Sequence, residues 1–245
     1  MPMPNPTAAM LVIGDEILSG RTRDANMHHL AGELAGRGIA LREVRIVPDE
    51  HAAIVAGLNA LRGAHDHVFT SGGIGPTHDD ITADAVAAAF GVAIDVRDDA
   101  RALLEAHYAR TGFELNAARL RMARIPEGAC LIDNPVSAAP GFSIGNVHVM
   151  AGVPAIFAAM LASVLPALTG GTPVLSQSLR LLRAEGEVAT PLRNLSEAYP
   201  ELDFGSYPFI RDGAPGCQIV IRGTDSARID AAMMELVRLF PGDIA

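Results

Sequence analysis

The fold is decided by one stretch of the sequence, Thr70-Ser71-Gly72-Gly73-Ile74-Gly75-Pro76-Thr77-His78-Asp79-Asp80-Ile81-Thr82. It follows the apolar residues Val68-Phe69 and precedes a helical pattern that reaches Phe90, which places it where a strand turns into a helix. Its glycines allow positive φ angles and a close approach of the backbone to a ligand. Because the N–H groups at the start of the following helix attract phosphate, the stretch predicts an anion-binding turn in an α/β fold.

Two carboxylates, Asp79 and Asp80, come directly after this glycine-rich loop and would repel a bare phosphate. Their position is reasonable if the site holds a divalent cation or transfers a proton. Thr77 and Asp80 also match the Thr-x-x-Asp pattern of a helix capping box, in which case Asp79 is the freer ligand. Both interpretations stay open here. If the chain is catalytic, we expect both carboxylates to face a ligand pocket.

The composition restricts the class of protein. The 245 residues are 49% hydrophobic, with a mean hydropathy of +0.26, which is enough for a large core. A net charge of −9 and an aromatic content of 4% without tryptophan argue against a nucleic-acid partner. The apolar run at residues 8–13 is too short for a signal sequence or a membrane span.

The two cysteines, Cys130 and Cys217, are far apart in the sequence and indicate neither a disulfide framework nor a zinc site. We expect both to be small buried residues. A chain of this composition is expected to be cytoplasmic, with no membrane partner.

Strand and helix patterns alternate along residues 8–168. The predicted strands are 8–13, 39–47, 66–70, 130–132 and 146–150, with a short extended piece at 92–96. The predicted helices are 24–35, 50–62, 81–90, 98–109, 116–123 and 155–165. By the right-handed crossover rule, the order βαβαβα gives a doubly wound, mostly parallel sheet between two layers of helices, a three-layer α/β/α domain of the α/β class. Residues 134–142, with two prolines, are predicted to be a long loop. His148, in the last of these strands, is expected to be a hydrogen-bonded core residue.

A linker is predicted at residues 166–173, which contain Gly170-Gly171 and end in a proline. Beyond it, residues 174–245 show the order strand, helix, strand, strand, helix. That order predicts a small second domain of the α+β class with both helices on one face of its sheet.

Four ordered motifs resemble those of the molybdopterin-binding (MoaB/Mog-like) domain family. They are Gly14-Asp15-Glu16-Ile17-Leu18-Ser19-Gly20 with Asp24-Ala25-Asn26, the stretch at 70–80, Ala139-Pro140-Gly141-Phe142, and Gly152-Val153-Pro154. Within the family they look closest to the N-terminal part of the competence/damage-inducible protein CinA and to the second domain of eukaryotic FAD synthases. The segment after Pro173 resembles the small KH-like module that follows this domain in CinA proteins.

The resemblance implies a three-layer domain, usually in a homo-oligomer such as a dimer or trimer. Its pocket would lie at the carboxyl edge of the strands and hold a phosphorylated small molecule. The CinA and FAD-synthase branch is associated with divalent-metal-dependent hydrolysis of pyrophosphates such as ADP-ribose or FAD. Asp80 falls where adenylylating members of the family carry an acid.

Together, the residue types and the resemblance predict a set of site residues. Asp79 and Asp80 are the predicted ligands of Mg²⁺ or another divalent metal, and Asp80, Asp79 and Asp15 are the predicted catalytic carboxylates. Capping of the next helix is an alternative role for Asp24 and Asn26. The residues predicted to bind phosphate or other parts of the ligand are Ser71, Gly72, Gly73, Gly75, Thr77, Asp24, Asn26, Gly141, Gly152 and Pro154.

Two functions stay open from the sequence. The first is a metal-dependent pyrophosphatase, a hydrolase of nucleotide-type substrates. The second is a non-catalytic protein that binds molybdopterin or a related phosphorylated ligand. The acid-rich loop favours the first, because a pure carrier of a phosphorylated pterin gains little from adjacent carboxylates. The name of the family favours the second.

Overall fold

The computed structural model describes residues 5–243. Contacts between Cα atoms divide the chain into two compact units, the first ending at Gly171 and the second beginning at Thr172. Within residues 5–243, no helix has both the length and the apolar sequence that crossing a bilayer requires.

The first unit alternates strands and helices through most of its length. Its strands are β1 (Thr7–Ile13), β2 (Ala40–Val47), β3 (His67–Ser71), β4 (Ile94–Val96), β5 (Arg124–Pro126), β6 (Cys130–Ile132), β7 (Gly141–Ile144) and β8 (Val147–Met150). Its α-helices are α1 (Asp15–Leu18), α2 (Asn26–Ala35), α3 (His51–Ala64), α4 (Thr82–Phe90), α5 (Asp98–Thr111), α6 (Ala117–Leu120) and α7 (Pro154–Val164). Short 3₁₀ turns follow α6 and α7, at Arg121–Ala123 and Leu165–Ala167.

One mostly parallel sheet organises this unit, with the strand order β2-β1-β3-β8-β7-β6. Strands β2, β1, β3 and β8 pair in parallel, and β7 runs antiparallel between β8 and β6. The chain goes from β1 to β2 on one side and then to β3 on the other side of β1, so the strand order reverses between β1 and β3. The prediction of a mostly parallel sheet is confirmed, and open sheets of this kind bind ligands at the point of reversal.

Helices cover both faces of the sheet, as predicted. Alternate side chains of β1 point to opposite layers: Met10 packs with α2 and α7, whereas Leu11 packs with α3 and α4. Both side chains are fully buried. A strand that is buried on both faces needs a continuous apolar sequence, which is why β1 could be recognised without any alternation. Each such side chain stabilises the fold by about 1.5–3 kcal/mol.

The predicted loop at residues 134–142 is wrong at its end, because β7 begins at Gly141. A Cβ atom at Gly141 would collide with the carbonyl oxygen of Val149, so glycine lets β7 lie close to β8. The sequence signal for a loop was its two prolines, Pro135 and Pro140, the second of which directly precedes this glycine. The prediction that both cysteines are buried is also wrong: Cys217 is buried, but Cys130 lies exposed on the edge strand β6.

The second unit has the predicted order of elements. They are β9 (Leu175–Leu181), α8 (Glu185–Ala198), β10 (Asp203–Arg211), β11 (Ala214–Gly223) and α9 (Ser226–Leu239). The strands form an antiparallel sheet in the order β10-β11-β9, and α8 and α9 bury their apolar residues against it. Between β10 and β11, Asp212 and Gly213 have φ angles of 51° and 80°. Two positive φ angles in a two-residue loop are typical of the type I′ turn of a β-hairpin.

Candidate active site

A cavity of about 560 Å³ lies at the carboxyl edge of the parallel strands. Residues at or just beyond the ends of all four parallel strands line it: Ile13 from β1, Asp49 after β2, the glycine loop after β3, and Gly152 after β8. Its volume is within the range of small-molecule sites. The cavity therefore lies at the reversal of strand order, where the fold is expected to bind a ligand.

The glycine loop forms one wall of this cavity with its backbone. Gly72 and Gly73 have φ angles of 107° and 68°, which other residues rarely adopt. A Cβ atom at Gly72 would collide with the carbonyl oxygen of Ile13, and one at Gly73 with the hydroxyl of Thr82. That hydroxyl donates to the carbonyl oxygen of Gly72 at 3.0 Å. These glycines are therefore required by the turn itself, and they leave main-chain atoms at the cavity wall.

Asp79 and Asp80 both line the cavity. Helix α4 begins at Thr82, so the capping-box interpretation of Thr77 and Asp80 is wrong. Instead, Asp80 Oδ2 accepts hydrogen bonds from the backbone N–H and the hydroxyl of Thr77, at 2.8 and 2.6 Å, and so closes the turn. The Asp79 side chain is 63% exposed, and both donors of Thr77 are directed to Asp80. Asp79 is the freer of the two carboxylates.

Two further carboxylates, Asp49 and Glu16, line the same cavity. Asp49 Oδ2 accepts a hydrogen bond of 2.9 Å from the backbone N–H of Asp15. Burial raises the pKa of Asp49; the hydrogen bond from Asp15 opposes this, and the charges of Glu16, Asp15 and Asp79 add to it. The site residues predicted from the sequence did not include Asp49. Its place just beyond a parallel strand is the signal that identifies it as a site residue.

The predicted catalytic Asp15 does not line the cavity: it lies exposed in α1 and contributes its backbone N–H to Asp49. Thr77 supports the loop without lining the cavity. Gly141 pairs with Ile132 inside the sheet. The predicted residues that the structure does bring to this cavity are Gly72, Gly73, Gly75, Asp79, Asp80, Gly152 and Pro154.

A smaller cavity of about 60 Å³ adjoins this site and is lined by the other predicted residues, Asp24, Asn26 and Ser71. Asp24 Oδ1 accepts a hydrogen bond from the backbone N–H of Met27, so Asp24 does cap the start of α2. Asn26 is only 4% exposed and does not cap. Its Nδ2 donates to Ser71 Oγ at 2.8 Å and to the carbonyl oxygen of Gly152 at 2.7 Å. The Asn26 amide therefore ties together the segments after β1, β3 and β8.

The lining of the main cavity combines acidic and apolar residues. Its acidic residues are Glu16, Asp49, Asp79 and Asp80, and its large apolar residues are Ile13, Ile74, Met122, Val153, Ile156 and Met160. No arginine or lysine among residues 5–243 lines it. Four carboxylates without a basic neighbour repel one another, so the donor set fits a divalent cation.

No group of three or more His, Cys, Asp or Glu side chains in the described part of the chain is placed to hold a metal ion by itself. Mg²⁺ does not require such a group, since it is often bound by one or two carboxylates, substrate phosphates and water. One or two of the carboxylates that line the cavity would therefore be enough for such an ion.

Two family models match this chain. Residues 9–170 match a probable molybdopterin-binding domain, and residues 173–245 match the middle domain of FAD synthase.

Individual proteins are similar as well. A CinA-like protein from Citrifermentans bemidjiense is 40% identical over 167 residues, which are 66% of this chain and 40% of that protein. The chain thus spans less than half of that relative's length. A protein from Pyrobaculum calidifontis is 32% identical over 250 residues, with 96% of this chain and 95% of that protein covered. The crystal structure of CinA from Thermoplasma acidophilum, a protein of unknown function, is 31% identical with a TM-score of 0.62 and covers 67% of this chain and 99% of its own.

Proposed function

The chain belongs to the MoaB/Mog-like molybdopterin-binding domain family and to its CinA-like branch, and on that premise we propose that the cavity at the strand ends hydrolyses nucleotide pyrophosphates with a divalent metal ion. ADP-ribose and FAD represent the substrate class. The observation that carries the proposal is the set of four carboxylates, Glu16, Asp49, Asp79 and Asp80, around a cavity that no basic side chain of residues 5–243 lines.

Different residues of the cavity bind the two parts of such a substrate, the pyrophosphate and the ring. The backbone of the glycine loop at residues 72–75 receives the pyrophosphate, since its glycines leave main-chain atoms at the wall. Ile74, Met122 and Ile156 offer an apolar surface to the base or the flavin ring. When bound, a divalent ion would neutralise charge at the phosphates and would lower the pKa of the attacking water. Asp79 and Asp80 are the residues that would hold it.

The reaction breaks one P–O bond of the pyrophosphate bridge. Water adds to one phosphorus atom, the bridging oxygen leaves with the other phosphate, and two phosphate monoesters are released. Asp49 accepts the proton of the attacking water. It suits this task because burial and the neighbouring carboxylates raise its pKa above that of an ordinary aspartate and bring it closer to neutral pH.

The test is hydrolysis of ADP-ribose, FAD and NAD by the purified full chain with Mg²⁺, Mn²⁺, Co²⁺ or a chelator. We expect Asp80→Asn and Asp49→Asn to lower kcat/KM by about 100-fold or more, since each removes a charged group from the reacting centre. Asp133→Asn is the matched control, because Asp133 is an exposed aspartate that does not line this cavity. Undiminished hydrolysis by Asp80→Asn contradicts the assignment.

A non-catalytic binder of molybdopterin or a related phosphorylated ligand is the second candidate. It is favoured by the description of the matched family. Saturable binding of molybdopterin, with no product from any pyrophosphate under any of the metals, would select this function instead. Binding that depends on Asn26 and on the glycine loop would show that both functions use the same cavity.

A further inference from the structure

Strand β2 forms one edge of the main sheet. Its inner side pairs with β1, and within residues 5–243 no strand pairs with its outer side. It is eight residues long, whereas β6 at the opposite edge has three. The outer side of an edge strand presents unpaired N–H and C=O groups, which are a template for pairing with another strand.

Beyond a register shift at Arg42, β2 is regular, and its apolar side chains on one face are exposed. The shift appears because Ala8 pairs with Leu41 and Ala9 with Glu43. After it, Val44 and Ile46 lie on the face of α2 and remain 39% and 43% exposed. Helices α1 and α2, which both contact β2, add two more large exposed apolar side chains, Leu18 at 54% and Met27 at 39%.

The opposite face of β2 carries complementary charges. Arg45 Nε lies 2.6 Å from Glu43 Oε1, and both side chains are about 40% exposed. In an antiparallel pair of two β2 strands centred on Val44, each Glu43 stands opposite the partner's Arg45. The same pair centred on Arg45 would place two arginines directly opposite each other, which is unfavourable. The sequence of this edge is therefore self-complementary in one register.

We propose that a second copy of this chain docks on β2, with the two β2 strands antiparallel and the two-fold axis at Val44. The two main sheets then become one continuous sheet. The charged pairs close one face, and Val44, Ile46, Leu18 and Met27 supply apolar contacts on the other. Asp49, which lines the cavity, follows the end of β2 by two residues. Docking of the second copy on β2 therefore also restrains the segment on which Asp49 lies.

Cysteine cross-linking tests the position of the axis. In the full chain with Cys130→Ser and Cys217→Ala, Val44→Cys is expected to form a disulfide between copies under mild oxidation, because a residue on the axis faces itself. Ile46→Cys is the control, since the two copies of that position would be about 14 Å apart along the strands. Cross-linking at both positions alike, or at position 46 only, would overturn the proposed register.

Charge reversal tests the pairing without relying on cysteine. Sedimentation equilibrium should show that the full chain forms a dimer. Glu43→Arg and Arg45→Glu should each raise the dimer Kd about tenfold or more, because each substitution places two pairs of like charges opposite each other across the interface. The double variant should return the Kd to within about threefold of the unchanged chain. Reversal of the pair Arg101 and Glu105 on α5, an equally exposed ion pair, should change nothing. A monomeric chain at all concentrations, or no rescue in the double variant, refutes the interface.

Discussion

Lowering the pH from 7 to 5 should destabilise the first unit through one side chain, His148. This residue is 8% exposed in β8, and its ring lies 5.0 Å from the ring of Phe69 and 5.8 Å from that of His67. Nδ1 is 2.9 Å from Ser143 Oγ, while Nε2 has no hydrogen-bond partner among the described residues. The expectation of a fully hydrogen-bonded core histidine is therefore wrong for Nε2. Burial, and to a lesser extent the charge of His67, lowers the pKa of His148 to about 4.

The size of this loss of stability follows from the difference between the pKa of His148 in the folded chain and its pKa in the unfolded chain. In the unfolded chain a histidine has a pKa of about 6.5, so at pH 5 it is almost fully protonated, whereas folded His148 is still mostly neutral. A lowered histidine pKa means that stability is fully present above the unfolded value and is lost as the pH falls through 6.5 toward 4. Between pH 7 and pH 5 the free energy of unfolding should decrease by about 2 kcal/mol through this residue alone.

Urea unfolding of the full chain at pH 7 and pH 5, followed by far-ultraviolet circular dichroism, measures this loss when it is compared with His148→Phe. Phenylalanine cannot titrate and retains the stacking on Phe69. The lost contact with Ser143 affects both pH values, so it cancels in the difference. We expect the variant to lose about 2 kcal/mol less than the unchanged chain between the two pH values. Equal losses in the two proteins would refute the reasoning.

Three further substitutions are each tested by measuring the free energy of unfolding. Gly72→Ala should lower the free energy of unfolding by at least about 2 kcal/mol, because the φ angle of Gly72 is 107° and the new Cβ atom collides with the carbonyl that ends β1. Gly63→Ala is the control: this residue lies in open space on α3, so the change should be neutral or stabilising. Asn26→Ala should cost about 1–3 kcal/mol, because it leaves the buried hydroxyl of Ser71 and the carbonyl of Gly152 without their donor. Arg124 makes two hydrogen bonds to the carboxylate of Asp84 on α4 in a partly buried ion pair, and Arg124→Ala should lower the free energy of unfolding by about 1–2 kcal/mol. Arg101→Ala, which breaks an exposed ion pair, should change it by no more than about 0.5 kcal/mol.

The sequence predicted the parts of the fold that rest on local patterns. Strand β1 was evident because a strand buried on both faces must be apolar throughout, and the turn after β3 because its glycines have no substitute there. Strand β7 was missed, since a glycine in a strand gives the same signal as a loop unless the neighbouring strand is known. The four-residue helix α1 is too short for a helical periodicity to appear.

The site was predictable where its residues follow one another in the chain. Asp79 and Asp80 were found from their place after the glycine loop, and both line the cavity. Asp49 was not found, because only the order of strands in the sheet brings the end of β2 to the same edge as the end of β3, with β1 between them. Asn26 was considered as a cap or a ligand, and neither alternative included contacts with residues 45 and 126 positions away. Such long-range pairs depend on topology, which a single sequence constrains only indirectly.

The contact between Gly72 and Gly152 has a consequence for how this scaffold diversifies. A Cβ atom at Gly152 would lie 3.3 Å from the Cα atom of Gly72, so the turns after β3 and β8 touch backbone to backbone at the cavity wall. Main-chain atoms do not change when side chains do. Substitutions at Met122 or Ile156 can therefore change the shape of the cavity while the peptide surface formed by the two turns stays the same. New ligand preferences can then arise by exchange of a few peripheral residues, without rebuilding the turn that the glycines hold.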